Sequence, residues 1–352
     1  MSPASTPTAA VHTAHVYPAD VNTAGLLAGL TPTQLEAVTT SGQPLCILAG
    51  AGSGKTRVLT RRIAWRVAQG NALADHVVAL TFTRRAADEL SGRLVALGVR
   101  DQVAAGTFHA LAYAQLRRRW ADTGQRPPTL VDRKLRLLLP LLPHRRKAGE
   151  PGAAEVATEI EWAQARMVSP AGYEAAVAAA GRKPPLPAPT VALLYERYQE
   201  AKRTKAVVDF DDLLLLCAQA LETDPDFAAT QRWRFRHLFV DEFQDVNPLQ
   251  FRLLEAWRGG RDDLCVVGDP RQAVYSWNGA DPRYLTAFGR RFEGATVVHL
   301  DENHRSSPQV VAVANAVLEG ARDAHPLRAT AADGPLPTVT AYADEADEAR
   351  LV

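Results

Sequence analysis

Short apolar runs alternate along this chain with stretches where apolar residues return every three or four positions. The first run, Leu45-Cys46-Ile47-Leu48-Ala49, predicts a buried strand. Leu59, Ile63 and Val67, each four residues apart, predict the helix that follows it. Ahead of that strand, Thr31 reads as the cap and Pro32 as the first residue of a helix reaching Val38. A second strand is expected over His76–Phe82. Thr83 then caps a helix carrying Leu90, Leu94 and Leu97. A third strand, Gln102–Ala105, runs into Gly106-Thr107-Phe108-His109 and another helix. Strand and helix alternating in this way predict an α/β fold with a parallel sheet covered on both faces.

From Ala112 to about Thr204 only helical patterns appear, broken at Pro127-Pro128 and over residues 183–187. Strand patterns return at His237–Asp241, Asp263–Asp269 and Ala295–Leu300. A helix from Pro308 to Leu318, a strand from Pro337 to Tyr342 and a helix opening at Asp344 complete the chain. The expected organisation is a disordered tail over 1–22 and a first α/β domain built from 23–111 and 205–294. A helical domain is inserted at 112–204, and a second domain begins at 295–352.

The length of 352 residues suits more than one domain, and an apolar content of 47% suits packed cores. A formal net charge of +1 excludes a uniformly basic nucleic-acid binder but not a local basic face. Such a face is offered by Arg117, Arg118, Arg119, Arg126, Arg133, Lys134, Arg136, Arg145, Arg146 and Lys147. A solvated helix face and a phosphate-tracking face both fit that run. Cys46, Cys217 and Cys265 stand far apart in apolar runs, as core residues of a reducing compartment would. No run approaches the ~20 apolar residues of a membrane span, and no charged head precedes an apolar segment at the start. A cytoplasmic protein without membrane partners is expected.

The first strand and its helix are joined by Gly50-Ala51-Gly52-Ser53-Gly54-Lys55-Thr56. Glycines let successive N–H groups turn toward one anion, and the new helix adds its positive dipole end. Lys55 can then reach terminal phosphates, and the Thr56 hydroxyl can ligate Mg²⁺. Phe239-Val240-Asp241-Glu242 places two carboxylates at the C-terminal end of a strand, the edge where open α/β sheets gather ligands. Asp241 there can hold Mg²⁺, directly or through water, and Glu242 can orient and deprotonate an attacking water. Together these segments predict a nucleoside-triphosphate hydrolase site of the P-loop type.

Asp241-Glu242-Phe243-Gln244-Asp245 resembles the acidic motif of the UvrD/Rep-type superfamily 1 DNA helicases. That resemblance implies a RecA-like motor domain split by the helical insertion, followed by the start of a second RecA-like domain. It implies ATP as the nucleotide, with Gln34 reading the adenine edge and Arg57 beside it. Thr81-Phe82-Thr83, together with Thr107 and His109, resemble the motifs that touch single-stranded DNA. In Gly268–Ala280, Gln272 resembles a γ-phosphate sensor, and Tyr275 and Trp277 resemble the aromatic residues that meet DNA bases. Arg305 resembles an arginine finger, and His304 stands where the family more often stacks a tyrosine on adenine. Two further departures are Ala49 at the first glycine position of the phosphate loop, and Arg84-Arg85 where the family has Asn-Lys.

The function so implied is ATP-driven translocation on single-stranded DNA and unwinding at duplex junctions, with 3′ to 5′ polarity, in repair or replication. Later family motifs would fall beyond Val352. The chain therefore reads as an N-terminal half or a natural short form, expected to bind ATP and Mg²⁺ without unwinding by itself. Two alternatives are a motor subunit of a helicase–nuclease complex and a non-hydrolysing ATP- and DNA-binding module.

Overall fold

The computed structural model describes residues 22–99, 103–142, 151–319 and 325–351. The tail expected over 1–22 therefore lies outside the described residues except for Asn22, as do Gln102, Arg145, Arg146 and Lys147.

Among the described residues ten strands are formed. They are β1 (Leu45–Ala49), β2 (Val77–Thr81), β3 (Ala104–Thr107), β4 (Thr129–Leu130), β5 (Val207–Val208), β6 (His237–Val240), β7 (Leu264–Gly268), β8 (Thr296–Leu300), β9 (Glu302–Asn303) and β10 (Arg328–Ala329). Six of them make one sheet in the order β3-β2-β6-β7-β1-β8, with every neighbouring pair parallel. Because side chains alternate across a strand, each strand feeds two cores. Leu45 and Ile47 of β1 and Val77 and Ala79 of β2 pack with the helices Pro32–Thr39 and Lys55–Ala68. Cys46, Val78 and Leu80 pack on the other face with Phe108, Leu214 and Trp257. Burial raises the thiol pKa of all three cysteines, so they stay protonated in the core.

The structure departs from the sequence expectations in four places. The helix Phe108–Asp122 crosses the expected boundary at 111/112 without a break. Its Ala112, Leu116 and Trp120 belong to the sheet's core. The helical insertion has a separate core around Leu138, Val156, Ile160, Tyr173 and Tyr198, but it is not strand-free at its borders. Residues Thr129–Leu130 pair in parallel with Val207–Val208. That two-residue ladder is too short to leave a period in the sequence.

The strand Thr296–Leu300, expected to open a second domain, instead pairs with β1 and extends the sheet. Its Val298 and Leu300 are buried there, so its apolar pattern is satisfied by the first core. Pro337–Tyr342 forms no strand. The short pairing after β8 is β9 with β10.

Four residues of the basic run face carboxylates. Lys134 is buried 2.5 Å from Asp211, and Arg119 lies 3.1 Å from Asp224. Arg118 and Arg136 face Asp122 and Asp132 one helical turn away. A continuous phosphate-tracking face is not formed by these four side chains, because each already has a carboxylate.

Candidate nucleotide site and nucleic-acid groove

The end of β1 passes at once into the glycine-rich turn. Gly52 and Gly54 have φ of +71° and +87°, which side-chain-bearing residues rarely adopt, and a Cβ on Gly52 would lie 2.8 Å from the Asn303 amide nitrogen. The carbonyls of the turn are held from outside. Asn303 Nδ2 donates to Ala51 O at 2.7 Å, the His304 N–H to Gly52 O at 2.9 Å, and Gln34 Nε2 to Ser53 O at 2.8 Å. Three loop carbonyls are thus engaged away from the cavity, while the Ser53 N–H is turned back on Gly50 O at 3.2 Å. The helix Lys55–Ala68 begins there with no side-chain cap, so its first amides and its positive dipole end serve the cavity. The space enclosed is about 370 Å³, and Lys55, Thr56, Glu242, Gln272, His304 and Arg305 line it.

The acidic pair enters from the end of β6. The Asp241 N–H donates to Leu80 O at 2.9 Å, so this residue is still fastened to β2. Glu242 then turns into the left-handed region at φ +49°, and its N–H donates to Asp241 Oδ1 at 3.0 Å. Strain of this kind in a non-glycine residue is tolerated only where the surroundings over-determine it. Lys55 Nζ lies 3.4 Å from Glu242 Oε2, and the Thr56 hydroxyl faces Asp241 Oδ2 at 3.5 Å. Burial, and then the neighbouring Glu242, push the Asp241 carboxyl up to about 6. A carboxylate so disfavoured gains from a cation. A hydroxyl and a carboxylate oxygen are the hard donors Mg²⁺ takes, completed by phosphate and water. Among the described residues no three His, Cys, Asp or Glu converge to cage a metal by themselves.

The remaining nucleotide-site residues divide into those brought together and those held aside. Gln272 and Arg305 both reach the cavity, from segments 33 positions apart in sequence. Gln34 is 1% exposed. Its carbonyl accepts the Thr31 N–H at 3.3 Å, completing the predicted helix cap, and its amide lies 3.2 Å from His304 Nε2. His304 Nδ1 meets the Thr330 hydroxyl at 2.7 Å, so the imidazole is pinned at both nitrogens. Arg57 lines the same cavity, and its guanidinium donates to Gly29 O at 2.9 Å.

Sequence reasoning gave no role to Asn303, whose side chain both binds the phosphate loop and accepts the N–H groups of Arg305 and Ser306. It also missed Arg93, which lines the cavity while paired with Glu89. Gln244 and Asp269, which join Glu242 to Gln272, were missed as well. A polar side chain beside a strand end was the signal in each of the last two.

The second cavity, about 670 Å³, opens between the C-terminal edge of the sheet and the helical insertion. Phe82, Thr107 and His109 line it, as does Phe210, which is 40% exposed and was not anticipated. The His109 and Phe210 rings meet edge to face at 6.1 Å. Burial holds the His109 imidazole below its ordinary pKa against the pull of Asp211. Asn278 also lines it, with its Oδ1 buried and unpartnered. Trp277, next to Asn278 in sequence, is 54% exposed and lines a separate cavity with Trp162 and Arg182, with Tyr275 at 6.4 Å between ring centroids. Thr83 and Thr107 cap the helices that follow them, through the N–H groups of Ala86 and Ala110. Thr81 is buried in β2, so its side chain is not brought to the groove surface.

Residues 30–293 match the family model described as the UvrD/REP helicase N-terminal domain. The chain belongs to the UvrD/Rep helicase family. It is 45% identical over 347 residues to the ATP-dependent DNA helicase UvrD2 of Mycobacterium tuberculosis (strain ATCC 25618 / H37Rv), covering 93% of this chain and 49% of that protein. It is 33% identical over 303 residues to the ATP-dependent DNA helicase PcrA of Bacillus subtilis (strain 168), covering 84% and 40%. The chain thus spans about half the length of the curated relatives it matches. Family membership accounts for the parallel sheet, the phosphate loop and the helical insertion together. No described helix is long and apolar enough to cross a membrane.

Proposed function

We propose that this chain is the nucleotide-binding motor portion of an ATP-dependent DNA helicase or translocase acting on single-stranded DNA next to duplex. The observation that carries this reading is the convergence of Lys55, Glu242, Gln272 and Arg305 on one cavity, with Trp277 exposed only five residues beyond Gln272. The names of the curated relatives support it. The 3′ to 5′ direction and a place in repair or replication belong to the same proposal.

The residues divide the work as follows. Loop amides and Lys55 bind the triphosphate, and Lys55 leaves Glu242 to do so. Glu242 then takes the proton of the attacking water. Arg305 and Gln272 face the γ-phosphate, where an arginine is worth roughly 10³–10⁵ in rate. Thr56 and Asp241 would hold Mg²⁺, which when bound neutralises phosphate charge. On the other side, Phe82, Tyr275 and Trp277 offer ring faces to bases, while Thr83, Thr107 and His109 offer hydrogen bonds to the backbone. Stacking is indifferent to base identity, as a motor that moves over any sequence requires. Work comes from the difference in affinity of ATP and of its products for two arrangements of the DNA-contacting segment.

ATP hydrolysis measured with and without single-stranded DNA tests the proposal. Stimulation by the strand, abolished in Glu242→Gln, is the expected result. Hydrolysis that Glu242→Gln leaves intact overturns the assignment of the base.

A further inference from the structure

We propose that Gln244 is a positioning residue that fixes the Glu242 carboxylate and ties it to the Gln272 turn, so that base and γ-phosphate sensor move as one unit. This rests on the nucleotide-hydrolysis reading above.

Gln244 is 1% exposed, and both ends of its amide are used. Its Nε2 donates to Glu242 Oε2 at 2.9 Å, and its Oε1 accepts the Asp269 N–H at 3.0 Å. The Asp269 carboxylate in turn accepts the Arg271 N–H through Oδ1 and Gln272 Nε2, at 2.7 Å, through Oδ2. An unbroken line of hydrogen bonds therefore runs from Glu242 through Gln244 and Asp269 to Gln272. An amide suits this place, because one neighbour needs a donor and the other an acceptor, and Gln244 supplies each from one end. The backbone is cut to fit it. A Cβ on Gly268 would lie 2.6 Å from Gln244 Oε1, so a glycine at the end of β7 is what lets the amide reach the Asp269 N–H.

Glu242 Oε2 is shared in this structure between Gln244 and the Lys55 ammonium at 3.4 Å. When phosphates draw Lys55 away, Gln244 is the remaining side-chain donor to that oxygen. The residue therefore matters most in the state that precedes hydrolysis. It also gives the left-handed Glu242 the external tether that a strained residue requires.

The test compares wild type with Gln244→Met, which removes both bonds at similar volume, and Gln244→Glu, which keeps the acceptor but sets a second carboxyl against Glu242. Thermal melting confirms that each is folded. Binding of ATPγS with Mg²⁺ is measured by calorimetry, and hydrogen exchange of residues 269–278 is followed with and without that nucleotide. Steady-state hydrolysis of ATP on single-stranded DNA completes the set. Both variants are expected to bind nucleotide within about threefold of wild type and to lose kcat on the order of 10- to 100-fold with little change in KM. The nucleotide-dependent change in exchange at 269–278 is expected in wild type and absent in Gln244→Met. An unchanged kcat, or an exchange response that persists in Gln244→Met, overturns this inference while leaving the hydrolase reading in place. Absence of nucleotide binding by wild type overturns the hydrolase reading itself. A purely structural glutamine would lower the melting temperature without separating kcat from KM.

Discussion

The Lys55 ammonium lies 3.4 Å from the Glu242 carboxylate, although 187 positions separate them in the chain. The two have different tasks, so their removal has different consequences. Lys55→Ala deletes the cation proposed to bind phosphate, and both nucleotide affinity and hydrolysis are expected to be lost. Glu242→Gln keeps the shape and removes the proposed base. It is expected to bind nucleotide as wild type does while hydrolysis falls on the order of 10²–10⁴-fold. Calorimetric titration and a phosphate-release assay separate the two.

Trp277 and Tyr275 are exposed, so replacing either costs the fold little. Trp277→Ala is expected to weaken binding to single-stranded DNA by ~1–3 kcal/mol, the value of one stacked base, with an unchanged melting temperature. Fluorescence anisotropy over a salt series checks a further point. The loss should be the same at every salt concentration, because no charge is removed.

Asp209 is buried beneath the helical insertion and accepts from Tyr198, Lys202 and Gln164 at 2.7, 2.9 and 3.1 Å. Burial opposes its ionisation, but Lys134 and Lys202 prevail and hold the carboxyl well below its ordinary 3.8. Asp209→Ala leaves two ammonium groups without this partner and is expected to cost about 3–5 kcal/mol, read by urea unfolding. In wild type the stabilisation is complete above pH 3.8 and is lost as pH falls below it, because the unfolded chain then binds the proton first.

His109 carries the opposite chemistry. Burial lowers its pKa below 6.5, so the folded protein resists a proton that the unfolded chain accepts. Stability is expected to fall as pH drops below about 6.5, and His109→Gln should remove that part of the slope. Histidine ring resonances in an NMR titration report its midpoint directly. A midpoint at or above 6.5 contradicts the burial argument.

The phosphate loop was readable because strand, glycines, Lys55, Thr56 and helix are consecutive, and local backbone chemistry dictates their arrangement. The apolar run Leu45–Ala49 and the alternation of strand with helix likewise foretold a parallel sheet covered on both faces, and Thr31, Thr83 and Thr107 cap helices where residues of their type do. The basic run left two readings open. Charge is visible in sequence, but the carboxylates that meet Arg119 and Lys134 come from residues 224 and 211. The strand Thr296–Leu300 was legible as a strand, but not its place beside β1, because an apolar period does not say which sheet will bury it.

By itself, then, the sequence determined much of what is set by neighbours along the chain: the strands of the main sheet, the caps at Thr31 and Thr83, the glycine turn and the kinds of side chain at each strand end. Tertiary structure alone decided which of those ends meet. It brought Lys55 to Glu242, Asn303 to the Ala51 carbonyl, and Gln244 to the Asp269 N–H. The physical reason is the parallel sheet. Hydrogen-bonded register gathers the C-terminal ends of strands that lie far apart in sequence along one edge, and the order of those strands is fixed only when both cores close.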